Sequence, residues 1–347
     1  MQKQCVVTLW GIAAVNLSDR LQNPEYEEIR QALLKAQRDL AKAKFKNEEI
    51  VEAVYQAAKA AAIAVGPGLP VPIKDKRKGR AEIALLHTTD WQLGKMTADY
   101  DMGVCGKRID MLAQKVVDLT KIQRADHPVE EIVVMLGGDM VEGITVFPGQ
   151  AYEVEAHLFT QLFECVRIIE RLINTLLQDF RKVTVWCEYG NHGRIGRRGD
   201  VPYTDNIDRI AYKIAQDRFA SNRRVEFHQS ENWHQIVTIG NYRALLFHGD
   251  EIKSFGGNTP AFGILRKVNA WATGVVEPFQ DAYHGHFHTP MTLTLANGGR
   301  VFGTGSPESE NVYAAEFVAA KGRPSQRLHF IDPEKGRVTS EHTLWLD

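Results

Sequence analysis

Across the middle of the chain, short apolar runs alternate with longer segments whose apolar residues recur every three or four positions. Ile83–His87, Glu131–Leu136 and Val183–Glu188 read as buried strands, and Gly106–Ala125, Ala151–Phe180 and Tyr203–Ala220 as amphipathic helices between and after them. A β-α-β-α-β-α alternation predicts parallel strands. Beyond it the strands come with few helices: Arg224–His228, His234–Ile239, Arg243–His248, Asp281–Gly285, Met291–Leu295, Arg300–Gly303, Ser325–Ile331 and Val338–Thr343. Gly240-Asn241 and Asn297-Gly298-Gly299 supply hairpin turns, so the second half is expected to be mostly antiparallel. The sum predicts an α/β fold, a four-layer α/β/β/α sandwich of two mixed sheets flanked by helices, preceded by a long N-terminal helix.

That helix is expected to start at Asn23 as N-cap, with Pro24 in the first turn and Glu25, Glu27 and Glu28 near the positive end of its dipole. It runs to Val65, where Gly66-Pro67 stop it. Ile29, Leu33, Ala36, Leu40, Ala43, Asn47, Ile50, Val54, Ala57, Ala61 and Ala64 follow a 4-3 spacing, as in a coiled-coil seam with Asn47 setting register. Two readings stand: homo-oligomerisation through this helix, or packing on the chain's own domain. Residues 1–72 are therefore expected to form a helical extension and Pro/Gly linker, and residues 73–347 the functional domain. The basic run Lys74, Lys76, Arg77, Lys78 and Arg80 is either a polyanion contact or a solvated charge cluster.

Composition changes this picture little. A net charge of −1 gives no global pull toward nucleic acid, so any polyanion contact must be local. Cys5, Cys105, Cys165 and Cys187 are scattered without a CxxC pair, which argues against a disulfide framework or a thiolate zinc site and fits a reducing cytoplasm. No apolar run reaches the ~20 residues of a membrane span, and the opening residues do not read as a signal peptide.

The candidate chemistry lies in five short polar clusters, each just past the C-terminal end of an expected apolar strand, where α/β sheets place ligand sites. They are Asp90-Trp91-Gln92, Gly138-Asp139-Met140-Val141-Glu142, Gly190-Asn191-His192, His248-Gly249-Asp250 and Gly285-His286-Phe287-His288. Singly, each has a bland explanation as a turn or helix cap, and His286 and His288 alternate on a strand as ordinary polar residues do. Together, in order and at strand ends, they predict a metal site. Oxygen and imidazole donors without thiolate suit Mn²⁺, Fe or Zn²⁺.

The order D-x-[H], G-D-x-x-[DE], G-N-H, H, G-H-x-H resembles the calcineurin-like metallophosphoesterase superfamily over Ala81 to about Ser306. Within it, Leu86-His87-Thr88-Thr89-Asp90-Trp91-Gln92-Leu93-Gly94 is similar to the opening motif of the SbcD/Mre11 DNA-repair nucleases. The resemblance implies two divalent cations, and Gln92, a weaker donor than imidazole, makes Mn²⁺ the favoured ion over Fe, Zn²⁺ or Mg²⁺. It gives Asp90, Asp139 and His288 to one cation, with Gln92 as a further ligand. Asp139 then bridges to a second cation held by Asn191, His248 and His286. Two such cations ~3.5–4 Å apart can hold a bridging hydroxide for in-line attack on phosphorus. His192 would stand beside the phosphate and assist the leaving group. Glu142 either orients that ring or is a surface turn residue.

Three departures bear on the resemblance. Gln92 replaces the usual His, Gly193 stands where many relatives carry an acid, and about sixty residues follow His288, too few for the capping domain of SbcD/Mre11 relatives. For substrate, Arg194, Arg197 and Arg198 sit in a Gly-rich loop directly after His192. They either grip phosphates of DNA or RNA or pair with Asp200 and Asp205. Lys253, the segment 255–260, Arg266 and Lys267 offer a second wall, and Trp91, Trp233 and Trp271 are candidates for base stacking or for the core. A nuclease-like phosphodiesterase, a phosphatase or small-nucleotide phosphodiesterase, and a non-catalytic scaffold are the three functional readings.

Overall fold

The computed structural model describes residues 79–152, 154–253, 260–308 and 322–347, with 35, 71, 72, 74, 75 and 77. The helix expected over residues 23–65, its oligomerisation reading, and most of the segment 255–260 lie outside them.

Two mixed sheets form the centre. The first is ordered β11-β10-β1-β2-β3-β4 and the second β5-β6-β7-β9-β8. Their strands are β1 (Glu82–Thr88), β2 (Val129–Gly137), β3 (Lys182–Glu188), β4 (Val225–Gln229), β5 (His234–Ile239), β6 (Tyr242–Phe247), β7 (Asp281–His284), β8 (Met291–Thr294), β9 (Arg300–Gly303), β10 (Ser325–Asp332) and β11 (Arg337–Trp345). β1 to β4 are mutually parallel, joined by α1 (Met102–Gln123), α2 (Leu158–Asp179) and α3 (Ile207–Arg218). A fourth helix, α4 (Ala261–Ala270), connects β6 to β7.

Strand alternation builds the layers. Ala244 and Leu246 of β6 pack with Leu85, Val133 and Met135 of the first sheet, forming the core between the sheets. Their neighbours Leu245 and Phe247 point the other way, onto Ile264, Val268 and Trp271 around α4. On the far side of the first sheet, α2 buries Leu162, Val166, Ile169, Leu172, Ile173 and Leu176, the stripe its 3.6-residue period requires. The result is the four-layer sandwich.

Three expectations change in detail. The second sheet is not simply antiparallel, because β6–β7 and β7–β9 are parallel ladders while β5–β6 and β8–β9 are antiparallel. α2 starts at Leu158 rather than near residue 151, because the preceding backbone is engaged elsewhere: Val146 N donates to Gln150 Oε1 at 2.8 Å and Glu155 N to Gly94 O at 2.8 Å. α3 starts at Ile207 because the Asn206 side chain caps it, accepting from Asp208 N at 2.9 Å. No helix among the described residues is long and apolar enough to cross a membrane.

Candidate metal centre

All five polar clusters lie in loops that leave β1, β2, β3, β6 and β7, and the loops are stitched to one another. Asp90 N donates to Gly138 O at 2.9 Å and Gln92 N to Asp139 O at 3.0 Å. Gly285 N donates to His248 O at 3.0 Å, and His286 N lies 3.0 Å from both carboxylate oxygens of Asp90. His192 N donates to Asp139 Oδ1 at 2.7 Å. The side chains converge accordingly. Candidate ligand atoms of Asp139, His248 and His286 all lie within 4.8 Å of one another, His248 Nε2 stands 3.1 Å from Asp139 Oδ2, and His288 Nε2 stands 3.4 Å from Asp90 Oδ1.

The backbone that aims these groups is strained. Asp90, Gln92, Asp139, His286 and His288 have φ between 46° and 65°, and they are the only non-glycine residues with positive φ among the described residues. A left-handed conformation costs about 1–3 kcal/mol at such a residue and persists where its surroundings over-determine it. His286 and His288 therefore do not alternate on a strand as expected, since β7 ends at His284 and each histidine is turned into the centre by its own left-handed residue. Glycines allow the close approach. A Cβ at Gly190 would strike the Asp139 carboxylate, and one at Gly285 would strike Asp90 and Thr89.

Asp208, in the first turn of α3, holds the site from beneath. Its carboxylate accepts from Asp139 N at 2.9 Å, Met140 N at 3.2 Å, Val141 N at 3.4 Å and Gly190 N at 3.0 Å, so one buried side chain fixes the loops after β2 and β3 together. Burial and the neighbouring Asp139 charge push its pKa up to about 6. Sequence reasoning missed Asp208 because Asn-x-Asp before an apolar helix is sufficiently explained as a cap.

The donor set fits divalent cations. His248 Nε2, Asn191 Oδ1 and Gln92 Oε1 are buried with no hydrogen-bond partner, a costly arrangement for polar atoms. His248 Nδ1 lies 2.8 Å from Gly137 O, so Nδ1–H donates there and the Nε2 lone pair faces the Asp139 carboxylate. Two acceptors face to face require a proton or a cation between them. Burial opposes an imidazolium at His248, yet the Asp139 charge outweighs it and raises the ring's pKa. His286 goes the other way: burial, then repulsion from His248, lower it to about 4, so its ring is neutral and free to ligate. Gln92, 1% exposed, has Nε2 3.4 Å from Asp139 Oδ2 and 3.5 Å from His288 Nε2. An amide rotation would present Oε1 to the same point. Since an amide oxygen is a weaker donor than imidazole, Gln92→His should tighten Mn²⁺ binding at this centre. Titration calorimetry with unchanged isotherms would refute that.

His192 and Glu142 form a pair. The His192 Nδ1 atom lies 2.9 Å from Glu142 O and 3.4 Å from Glu142 Oε2. Glu142 is 4% exposed and receives Gln150 Nε2 on Oε1 at 2.8 Å, so it is not a surface turn residue. Burial would lower the His192 pKa, but the Asp139 and Glu142 charges overcome it and hold the ring up to about 9. Cations on Asp139 would cancel the first of those charges and leave Glu142 as its support.

The arginine loop divides. Arg194 is 8% exposed, its Nε donates to Asn191 O at 2.8 Å and its guanidinium lies 6.0 Å from the Tyr203 ring, so it braces Asn191 from inside rather than reaching solvent. Arg197 and Arg198 are exposed. Trp91 and Trp271 are core residues at 0% and 4% exposure, and Trp233 packs on Trp271 at 4.6 Å between ring centroids, which removes all three as base-stacking platforms. Lys253 and Lys267 are exposed, and Lys267 lies over the Trp271 ring.

Neither a family model nor a curated protein matches this sequence. Solved structures similar to it include Vps29 of Entamoeba histolytica complexed with zinc, at 14% identity and a TM-score of 0.35, covering 76% of this chain and 99% of that one. A structure described as a novel archaeal phosphodiesterase is likewise 14% identical with a TM-score of 0.35, over 75% of this chain and 99% of its own. Vps29 of Chaetomium thermophilum is 11% identical with a TM-score of 0.34, over 78% and 100%. Likenesses of this size decide nothing about activity, which rests on the side chains described above.

Proposed function

We propose that this chain is a metal-dependent phosphodiester hydrolase that holds two divalent cations, Mn²⁺ favoured, and cuts a nucleic-acid strand. The observation carrying this reading is the convergence of Asp139, His248 and His286, with left-handed Asp90, Gln92 and His288 beside them and buried, unpartnered ligand atoms on His248, Asn191 and Gln92. Bound there, two cations would neutralise phosphoryl charge and acidify water. The protein's own part is positional. Asp139 faces both halves of the centre, and His192, its Nδ1 turned to Glu142, has Nε2 left to protonate a departing alkoxide. The functional pair and the buried ligand set speak against a purely structural role.

A strand-like substrate is favoured by the rim. Thr145 Oγ1 donates to Arg194 O at 2.9 Å, which ties the loop after Glu142 to the loop carrying the exposed Arg197 and Arg198. Phe147 is 41% and Tyr152 94% exposed in that same loop. Exposed aromatics in one loop and exposed arginines in the loop tied to it suit unstacked bases and phosphates of a strand. Replacing Phe147 and Tyr152 together with alanine should raise KM for a single-stranded oligonucleotide by about tenfold or more, as stacking of ~1–3 kcal/mol per base implies. Turnover of bis-p-nitrophenyl phosphate should not change. Equal effects on both substrates would remove the rim from the account.

The deciding test is Mn²⁺-dependent hydrolysis of single- and double-stranded DNA, RNA, bis-p-nitrophenyl phosphate and p-nitrophenyl phosphate. Cleavage of oligonucleotides and the diester is expected. Activity on the monoester alone would replace the nuclease reading with a phosphatase, and no hydrolysis at all would favour a scaffold.

A further inference from the structure

We infer that Glu308 is a positioning residue of this centre, setting the half-site that carries Gln92; the inference rests on the metal-binding reading above. Glu308 is 4% exposed and follows β9 by a short loop, remote in sequence from every polar cluster. Its Oε2 lies 3.4 Å from His288 Nδ1 and its Oε1 2.6 Å from Lys95 Nζ. Its backbone N donates to Ser306 Oγ at 2.9 Å, and Ser306 Oγ donates to Asp90 O at 2.7 Å. One corner of the chain therefore touches the ring of His288 and the backbone of Asp90, and those two side chains face each other at 3.4 Å.

The geometry matters because a burial this deep is unfavourable for a carboxylate without partners. The Glu308 carboxylate faces Lys95 and His288 at ion-pair distance, and its two buried oxygens have no hydrogen-bond partner elsewhere. An imidazole whose Nδ1–H points at a carboxylate keeps its Nε2 lone pair aimed the other way, here at Asp90, and becomes a stronger donor to a cation. His248 is held differently, with its Nδ1 on the neutral carbonyl of Gly137. The anionic support thus falls on the half of the centre where an amide, Gln92, replaces an imidazole. Glu308 strengthens His288 where Gln92 weakens the set, with Lys95 pairing with the acid and holding it in place.

The test uses the full chain and Mn²⁺ alone. Titration calorimetry and electron paramagnetic resonance would count the sites in wild type, Glu308→Gln, Glu308→Ala and the double variant Glu308→Gln/Gln92→His. Glu308→Gln keeps the shape and an acceptor but removes the charge. It should weaken one of two Mn²⁺ sites by about 10–100-fold, the range typical of lost outer-shell partners. The other site and the metal-free melting temperature should be unchanged, and Gln92→His should restore part of the loss. Wild-type affinity at both sites in Glu308→Gln, or a loss matched by a fall in metal-free melting temperature, would overturn the inference while leaving the metal centre intact. A wild type that binds no Mn²⁺ would overturn both.

Discussion

Replacing Asp139 with asparagine is expected to lower diester hydrolysis on the order of a thousandfold, the several kcal/mol of charge stabilisation that a metal site supplies. Fewer Mn²⁺ ions should bind per chain. The reason lies in the two oxygens of this carboxylate. Oδ1 accepts from His192 N at 2.7 Å, and Oδ2 stands 3.1 Å from His248 Nε2 and 3.4 Å from Gln92 Nε2. Asparagine keeps the size and the first acceptor. It removes the charge and turns the second oxygen into an amide donor that satisfies the His248 lone pair directly, closing the point where a cation would sit. The metal-free fold should survive, because the Asp208 carboxylate ties the loops together and asparagine keeps the acceptor for His192 N. Circular dichroism and the metal-free melting curve check this, and calorimetry counts the ions. A variant that binds two Mn²⁺ ions and keeps wild-type turnover would remove Asp139 from the centre.

Much of this was legible in the sequence, for a physical reason. Apolar runs such as Ile83–Leu86 and Ile132–Leu136 must be buried strands, and short polar clusters directly after such runs must lie at strand ends, so Asp90, Asp139, Asn191, His248 and His286 could each be placed in a loop leaving a strand without coordinates. What was not legible depends on tertiary contacts. No local pattern announces that β6 and β7 pair in parallel, since that depends on α4 crossing between them. Nor does any pattern announce left-handed Asp90 or His288, whose conformations are held by the loops against them. Asp208 looks like a cap residue and Glu308 like a loop acid, because their partners lie far away in the chain. The arginine loop misled in part: three arginines in a Gly-rich stretch look equivalent, yet Arg194 is buried under Asn191 while Arg197 and Arg198 face solvent.

His192 is the residue whose removal should separate chemistry from binding. His192→Ala should lower hydrolysis of oligonucleotides by about 10²–10⁴-fold, the contribution of a positioned general acid, with both Mn²⁺ sites still occupied. Its side chain is not among the convergent donor atoms of Asp139, His248 and His286, and its backbone N donates to the Asp139 carboxylate. The loss should depend on the leaving group. A ribose alkoxide is a strong base and must gain a proton as the P–O bond breaks, whereas p-nitrophenolate is stable as an anion and needs none. Bis-p-nitrophenyl phosphate should therefore lose much less than an oligonucleotide. Glu142→Gln should fall between, since it keeps the Gln150 contact and removes the charge facing Nδ1 at 3.4 Å. Equal losses on both substrates in His192→Ala would mean that the ring binds phosphate in the ground and transition states alike rather than delivering a proton. Loss of a Mn²⁺ ion would mean that it belongs among the ligands. The leaving-group contrast decides among these roles, because only proton delivery makes the cost of losing the ring rise with the basicity of the oxygen that departs.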